Sequence, residues 1–294
     1  MELVTVGDYT RRGWNSGTNE RARAQDYARE LEAGNILLFD SLPYAMSEED
    51  LAFLLSVKQT DAGYHKNIAY RPAKDRVTGV DRKAAAGEKL HQVMRNYSRS
   101  VTEFVFRFLN VYANSYRMDY ASFRSVEEKG RDLSRHARND LLHVDAFSSR
   151  ASNGDRILRV FSNINPEEPR IWMTSDPFRE LAEEWAIPAG LQKIAAEQNS
   201  FLRFFSKRSA YDRFMLKFHD YLKENDQFQT NCRKYEFSFP PYSTWMVYTD
   251  TVPHSVLSGR FAIEQTYFIR RNGMVTPESA PVNILETLCG QQLV

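Results

Sequence analysis

The stretch Leu141-Leu142-His143-Val144-Asp145-Ala146-Phe147 indicates both the fold and the chemistry of this chain. Its apolar residues predict a β-strand, in which successive side chains point to opposite faces. His143 and Asp145 are two residues apart, so both are expected on the same face, where an imidazole nitrogen and a carboxylate oxygen can hold one metal ion. Inside a hydrophobic strand both groups need a partner. A solvent-facing pair, or a simple His–Asp hydrogen bond, is the alternative interpretation.

A third ligand is predicted at His254, in the short strand-like stretch Pro253-His254-Ser255-Val256. Two neutral imidazoles and one carboxylate on a β scaffold form the facial triad that suits Fe(II) and leaves three coordination positions open. These positions can take a bidentate 2-oxo acid and then O2. The distal carboxylate of such an acid needs an arginine fork, and Arg260 begins the next predicted strand.

The composition is that of an ordinary soluble globular protein. The 294 residues are 42% hydrophobic and 26% charged, and the formal net charge is +1. This charge gives no global field that would indicate a nucleic acid partner. No run of residues is long and apolar enough to predict a transmembrane segment, and the opening residues do not resemble a signal sequence. The two cysteines, Cys232 and Cys289, do not form a disulfide framework. We therefore expect reduced thiols in a cytoplasmic protein.

The order of patterns predicts helices first and strands later. Residues 1–117 are predicted to be a mainly helical N-terminal support. Within them, one long amphipathic helix carries apolar residues three and four apart: Leu90, Met94, Tyr97, Val101, Phe104, Phe108 and Val111. Residues 118–271 are predicted to form a β core with a helical insertion at about 177–226, and 272–294 a C-terminal tail. Residues 59–81 are predicted to be an irregular basic surface segment. No linker forces a division, so residues 1–294 are expected to be a single domain.

The pattern of these residues resembles that of a known superfamily. His143-Val144-Asp145, the distant His254 and then Arg260 look like the HxD…H…R pattern of the Fe(II)/2-oxoglutarate-dependent dioxygenases. Within that superfamily, LLHVDAF at 141–147 and RILRVFSNINP at 156–166 most resemble the Kdo 3-hydroxylases (Kdo is 3-deoxy-D-manno-oct-2-ulosonic acid). The resemblance implies an α+β, mainly β fold: a double-stranded β-helix, or jelly-roll, flanked by N-terminal and inserted helices.

The resemblance also implies a reaction and its cofactors. An enzyme of this kind would use Fe(II), 2-oxoglutarate and O2 to hydroxylate the outer Kdo sugar of Kdo-lipid A at carbon 3, releasing succinate and CO2. His143, Asp145 and His254 would hold the iron. Arg260 would bind the 2-oxoglutarate C5 carboxylate. The spacing from His254 to Arg260 is short for the superfamily, which makes Arg270 the second candidate.

Four further residues are candidates for binding the cosubstrate or the sugar. Asn163 and Arg159 are predicted to share one strand face, and could approach either 2-oxoglutarate or the sugar carboxylate, or pair with neighbouring backbone. Arg124 and Arg150 flank the central stretch and suit an anionic sugar with neighbouring phosphates, although isolated arginines are usually solvated.

Two other functions are consistent with the same residues. The first is a 2-oxoglutarate dioxygenase that acts on a protein side chain or a small metabolite. The second is a non-catalytic jelly-roll module that binds sugar. A glycolipid substrate would bring the protein into peripheral contact with the cytoplasmic face of the inner membrane. The sequence leaves the oligomeric state open, a homo-oligomer included.

Overall fold

A computed structural model describes residues 1–57, 68–79, 85–127, 133–197 and 208–294. The strands are β1 (Leu3–Thr5), β2 (Tyr9–Thr10), β3 (Gly13–Trp14), β4 (Ile36–Phe39), β5 (Ile68–Arg71), β6 (Arg76–Thr78), β7 (Tyr116–Arg124), β8 (Arg156–Asn163), β9 (Arg170–Thr174), β10 (Tyr235–Phe239), β11 (Thr244–Tyr248), β12 (His254–Ser258) and β13 (Ala262–Ile269). The helices are α1 (Glu20–Glu32), α2 (Glu48–Ser56), α3 (Ala85–Phe108), α4 (Phe178–Trp185), α5 (Leu191–Glu197), α6 (Ala210–Glu224), α7 (Asp226–Asn231) and α8 (Pro281–Cys289). None of the helices in these ranges has the length and hydropathy needed to cross a membrane.

The strands form a large sheet and a small sheet that face each other across a cavity. The large sheet has eight strands in the order β1-β4-β11-β8-β13-β7-β5-β6, and the small sheet has the order β10-β9-β12. A separate hairpin joins β2 to β3. Residues of β7, β8 and β13 line the cavity on one side and residues of β9 and β12 line it on the other. This is the predicted double-stranded β-helix.

The stretch 141–147 differs from its prediction as a regular strand. Only His143 forms a β-bridge, with His254 of β12, through two backbone hydrogen bonds of 3.2 and 2.9 Å. The Asp145 amide then donates to the Thr249 carbonyl instead of continuing that ladder. The residues after His143 have no regular strand beside them, because the neighbouring strand β12 begins only at His254. The stretch is therefore an extended segment beside the small sheet, held by separate backbone hydrogen bonds.

The helices of the N-terminal part cover the outer face of the large sheet, as the apolar stripe predicts. Six residues of that stripe are buried in one core with sheet residues, and Val111 is partly buried against it. Local signals set the helix starts. The Asn19 side chain accepts from the Ala22 amide at the start of α1, and the Ser47 hydroxyl accepts from the Asp50 amide at the start of α2.

The observed elements divide the chain more finely than the predicted regions do. Residues 1–117 also supply β1, β4, β5 and β6 to both edges of the large sheet. Within 59–81, residues 68–78 form the β5–β6 hairpin, and the rest of that predicted irregular segment lies outside the described residues apart from Gly79. The predicted tail 272–294 contains α8, whose apolar residues pack with α4 and α6.

Candidate metal centre and its cavity

His143, Asp145 and His254 come together at one end of the cavity. All three are buried, and one ligand atom from each lies within 4.8 Å of the others. The Nδ1 atom of His143 lies 2.7 Å from the Leu141 carbonyl, and that of His254 lies 2.9 Å from the Val252 carbonyl. Each Nδ1 must carry the proton to donate to a carbonyl, which leaves each Nε2 with a lone pair for a metal.

The protonation states also suit metal binding. Burial lowers the pKa of His143 and His254, so both imidazoles are neutral at physiological pH. Burial would raise the pKa of Asp145, but its interactions with the surrounding groups, first the Arg159 guanidinium, outweigh burial and lower that pKa. The site therefore holds two neutral imidazoles and one carboxylate, which is the donor set that Fe(II) takes in facial triads.

Arg159 holds the aspartate ligand in place. Its Nη1 donates to Asp145 Oδ2 at 2.7 Å, while its Nη2 forms an ion pair with Glu264 of β13. The other oxygen of Asp145 lies 3.9 Å from His143 Nε2, on the side of the metal ligands. One carboxylate oxygen is therefore engaged by Arg159, and the other is directed to the metal position.

A second buried arginine, Arg156, supports the loop between β11 and the metal ligand His254. Arg156 Nε donates to Asp250 Oδ2 at 2.9 Å, and its Nη2 donates to the Thr251 hydroxyl at 2.8 Å. This loop also supplies the Thr249 carbonyl that holds Asp145 and the Val252 carbonyl that holds His254. Arg156 and Arg159 both lie in the apolar run RILRVF at 156–161. A charged residue in a buried apolar run needs a buried partner, and this is the sequence signal for both arginines.

Aromatic rings fix the imidazole planes from outside. Trp172 of β9 stacks on His254 with centroids 5.2 Å apart and an interplanar angle of 23°. His219 of α6 meets His143 edge to face at 5.0 Å. Neither contact was predicted, because both partners come from elements far away in sequence.

The cavity in front of the ligands has a volume of about 270 Å³ and an excess of positive charge. Its charged lining consists of four arginines and two carboxylates: Arg124, Arg150, Arg159, Arg170, Asp145 and Glu264. A divalent metal and a dianionic 2-oxo acid would cancel each other's charge. The excess from the lining therefore favours a second anionic molecule.

The predicted substrate-binding arginines are all in this cavity, but each has protein partners. Arg159 contacts Asp145 and Glu264, as described above. Arg124 lies 3.4 Å from the Glu264 carboxylate. Arg150 lies 2.7 Å from Asp119 and stacks on the rings of Tyr120 and Phe147.

The predicted cosubstrate residues are not part of the cavity lining. The Arg260 side chain is 50% exposed and lies 3.7 Å from Glu168, and Arg270 is also exposed. Asn163 is buried, but its amide donates to the carbonyls of Glu168, Phe239 and Pro240.

Arg170 of β9 is the arginine that sequence reasoning missed. It is buried, lines the cavity, and donates from Nη1 to the Gly259 carbonyl at 2.7 Å. Gly259 has φ +111°, and a Cβ there would lie 2.9 Å from the Arg170 Cα. Glycine is thus required for the turn after β12 to pass this close to β9. The prediction placed the cosubstrate arginine, Arg260, just after this turn. The arginine that lines the cavity near this turn is instead Arg170, from the adjacent strand β9.

Comparisons with known proteins agree with this site. The family model described as 3-deoxy-D-manno-oct-2-ulosonic acid (Kdo) hydroxylase matches residues 14–292. The chain belongs to the Kdo hydroxylase family. No curated protein matches it.

Solved structures of the Kdo hydroxylase KdoO, a non-heme Fe(II) alpha-ketoglutarate dependent dioxygenase, are similar over the whole chain. The complex with alpha-ketoglutarate and Fe(III) is 32% identical, with a TM-score of 0.84, over 100% of this chain and 98% of that one. The complex with succinate and Fe(III) is 32% identical, with a TM-score of 0.83, over 99% and 97%. The cobalt(II) complex is 33% identical, with a TM-score of 0.85, over 99% and 97%. This chain is thus homologous to a dioxygenase that binds these groups.

Proposed function

We propose that this protein is an Fe(II)/2-oxoglutarate/O2-dependent dioxygenase that hydroxylates the outer Kdo sugar of Kdo-lipid A at carbon 3. Succinate and CO2 are the other products. The observation that carries the proposal is the buried His143–Asp145–His254 set, whose donor atoms and protonation states suit Fe(II) and which opens into a cationic cavity. Membership of the Kdo hydroxylase family supports the choice of substrate.

We propose that His143 and His254 bind the metal through Nε2 and that Asp145 binds it through one oxygen. When bound, Fe(II) with 2-oxoglutarate and O2 supplies the oxidising chemistry that replaces a C–H bond by C–OH. The residues of the chain then have three tasks. They orient the ligands, hold the target carbon beside the metal, and keep water from the reacting atoms. No side chain has to act as a general base.

For the C5 carboxylate of 2-oxoglutarate we propose Arg170 in place of Arg260. Arg170 is buried in the wall of the cavity beside Trp172 and His254, and its fork can meet a carboxylate with two parallel hydrogen bonds. Arg260 is half-exposed and next to Glu168. Arg270 and Asn163 lie outside the lining and are weaker candidates for the same reason.

Arg124 and Arg150 remain our proposed contacts for the anionic sugar, whereas Arg159 is better placed to hold Asp145. The glycolipid substrate leads us to propose a cytoplasmic enzyme in peripheral contact with the inner membrane.

The test is anaerobic binding of Fe(II) and 2-oxoglutarate, followed by the visible metal-to-ligand charge-transfer band. The band should form with the wild type, vanish in His143→Ala, and persist in His136→Ala, which removes an exposed histidine. Arg170→Gln should raise the 2-oxoglutarate concentration needed for the band, while Arg260→Gln should not.

Turnover then separates the substrates. Kdo-lipid A should stimulate succinate release, and the hydroxylated glycolipid should appear in equal amount. Turnover of a peptide or a small metabolite instead would favour another dioxygenase of the superfamily. A folded, metal-reconstituted wild type with no band would refute the proposal and leave a sugar-binding module.

A further inference from the structure

Beside the metal cavity, two arginines contact one tyrosine ring. Arg71 of β5 lies over the Tyr120 ring, with its guanidinium carbon 4.9 Å from the centroid. Arg150 lies over the same ring at 4.2 Å and over the Phe147 ring at 4.1 Å. We call Arg71, Tyr120 and Arg150 the arginine platform.

The strand register explains how the platform forms. Ala69 of β5 pairs with Ser122 of β7, and both line the cavity, so Arg71 and Tyr120 share that face of the sheet. Ile68 and Tyr70 alternate to the other face and are buried in the core under α3. Tyr120 and Arg150 line the cavity themselves. Arg71 is not part of the lining, but it lies next to it through its contact with the Tyr120 ring.

The two arginines of the platform differ in whether a carboxylate neutralises their charge. Arg150 has the Asp119 carboxylate 2.7 Å away. Arg71 has no ion pair with any described residue, and its buried Nε finds no hydrogen-bond acceptor among them. A buried guanidinium that has no anionic partner and leaves a donor unused costs free energy unless a ligand supplies an anion.

We propose that the arginine platform binds a carboxylate of the acidic sugars of the substrate, separately from the arginine that takes 2-oxoglutarate. This inference rests on the proposed function. The guanidinium fork matches a carboxylate, and the Tyr120 and Phe147 rings hold the Arg150 fork in one orientation.

A sugar carboxylate fits this position better than a lipid phosphate. Two of the platform residues line the same cavity as the metal ligands, so we expect an anion bound there to belong to the sugar at the metal or to its neighbour. In Kdo-lipid A these sugars are acids, and the phosphates are on the lipid A portion beyond them.

The experiment compares Arg71→Gln with Arg117→Gln. Arg117 is a matched control because it also stacks on an aromatic ring, Phe268 at 4.1 Å, and lies on β7, but outside the cavity. Arg71→Gln should raise the KM for Kdo-lipid A roughly 10-fold or more, since a charge-assisted hydrogen bond to the substrate is lost. Arg117→Gln should stay within about twofold of the wild type. Arg71→Lys, which keeps the charge but not the fork, should lie between them.

Two altered substrates identify the anion. Esterifying the sugar carboxylates should abolish the difference between Arg71→Gln and the wild type, whereas removing the lipid A phosphates should leave it unchanged. The reverse pattern, or equal KM values for the Arg71 and Arg117 variants, would overturn the inference. The charge-transfer band keeps the two proposals apart, because its presence in the wild type and in Arg71→Gln shows that the metal and 2-oxoglutarate site is intact. Absence of the band in the wild type would refute the proposed function, and this inference with it.

Discussion

Along β8 and β13, the two faces of the large sheet are equally buried but chemically opposite. Every residue of β8 and β13 is buried. On the face under α3, Leu158, Val160 and Ile263 join an apolar core. On the cavity face, the same strands present Arg159 and Glu264, which form an ion pair with each other.

The difference shows where burial serves stability and where it serves the site. Apolar burial stabilises the fold in proportion to the area removed from water. Burying charges does not in general stabilise a protein more than apolar residues of the same shape would. We therefore attribute the charges of the cavity face to the metal ligand Asp145 and to the anionic molecules that we propose they bind.

The largest effect is expected on the cavity face, from Arg159→Met. This change leaves the carboxylates of Asp145 and Glu264 without their shared cation. We expect a loss of about 3–5 kcal/mol in the free energy of unfolding and a loss of roughly 10- to 100-fold in Fe(II) affinity. Urea unfolding measures the loss of unfolding free energy, and Fe(II) titration measures the loss of metal affinity.

Arg138→Met is the control for that change, because Arg138 also pairs with an aspartate, Asp140, but at the surface. It should cost under about 1 kcal/mol and leave Fe(II) binding unaltered. Similar losses in both variants would mean that the cavity charges are no more important than a surface ion pair.

On the helix face, Met94→Ala should separate stability from metal binding. Met94 is fully buried in the core between α3 and the sheet. Its truncation should cost about 3 kcal/mol of unfolding free energy because it leaves a cavity. The Fe(II) affinity of the folded protein should not change. Arg99→Ala, at an exposed position of the same helix, should stay within about 0.5 kcal/mol of the wild type. A weakened metal site in Met94→Ala would show that the two faces are coupled.

The same contrast explains what could be predicted from the sequence. The helix face follows from local rules: a periodic apolar stripe predicts α3, and the side chains of Asn19 and Ser47 cap the starts of α1 and α2. The His143, Asp145 and His254 set is also recognisable, because each residue type and its strand context point to the same metal chemistry.

The cavity face depends on strand neighbours that are distant in sequence. Arg170 is 84 residues before His254 in the chain, yet β9 and β12 are paired, so Arg170 enters the cavity where Arg260 was expected. The partners of Arg159 could not be predicted either, since β8, β13 and the segment at Asp145 meet only in the folded sheet. Strand order is a property of the whole chain, and short motifs do not report it.

The smallest effect is expected at Lys223, a buried charge outside both faces. It lies on α6, and its Nζ donates to the His136 carbonyl at 2.9 Å. Burial lowers the pKa of Lys223 to about 8 from 10.5, against the raising effect of the nearby carboxylates. The charged groups that act on it are Asp145, Asp220, Asp140 and Arg124.

This pKa predicts the sign of a pH dependence. Below about pH 8 Lys223 is charged in the folded and unfolded states, and the cost of burying the charge is fully present. Between about pH 8 and its unfolded pKa, the folded state loses the proton first, so the unfolding free energy rises with pH. We expect Lys223 to contribute a rise of roughly 1 kcal/mol between about pH 8 and pH 9, where less than about a tenth of each tyrosine is ionised in the unfolded chain.

Lys223→Met should remove that rise and stabilise the protein by about 1 kcal/mol near pH 7, because the burial cost exceeds the single hydrogen bond that is lost. Lys217→Met, at an exposed position of the same helix, should retain the wild-type slope. Urea unfolding at a series of pH values gives the comparison. If the Lys223 variant keeps the slope, or is destabilised as much as a broken ion pair of the cavity face, then the charge on α6 is held by favourable interactions and belongs functionally with the charges around the metal.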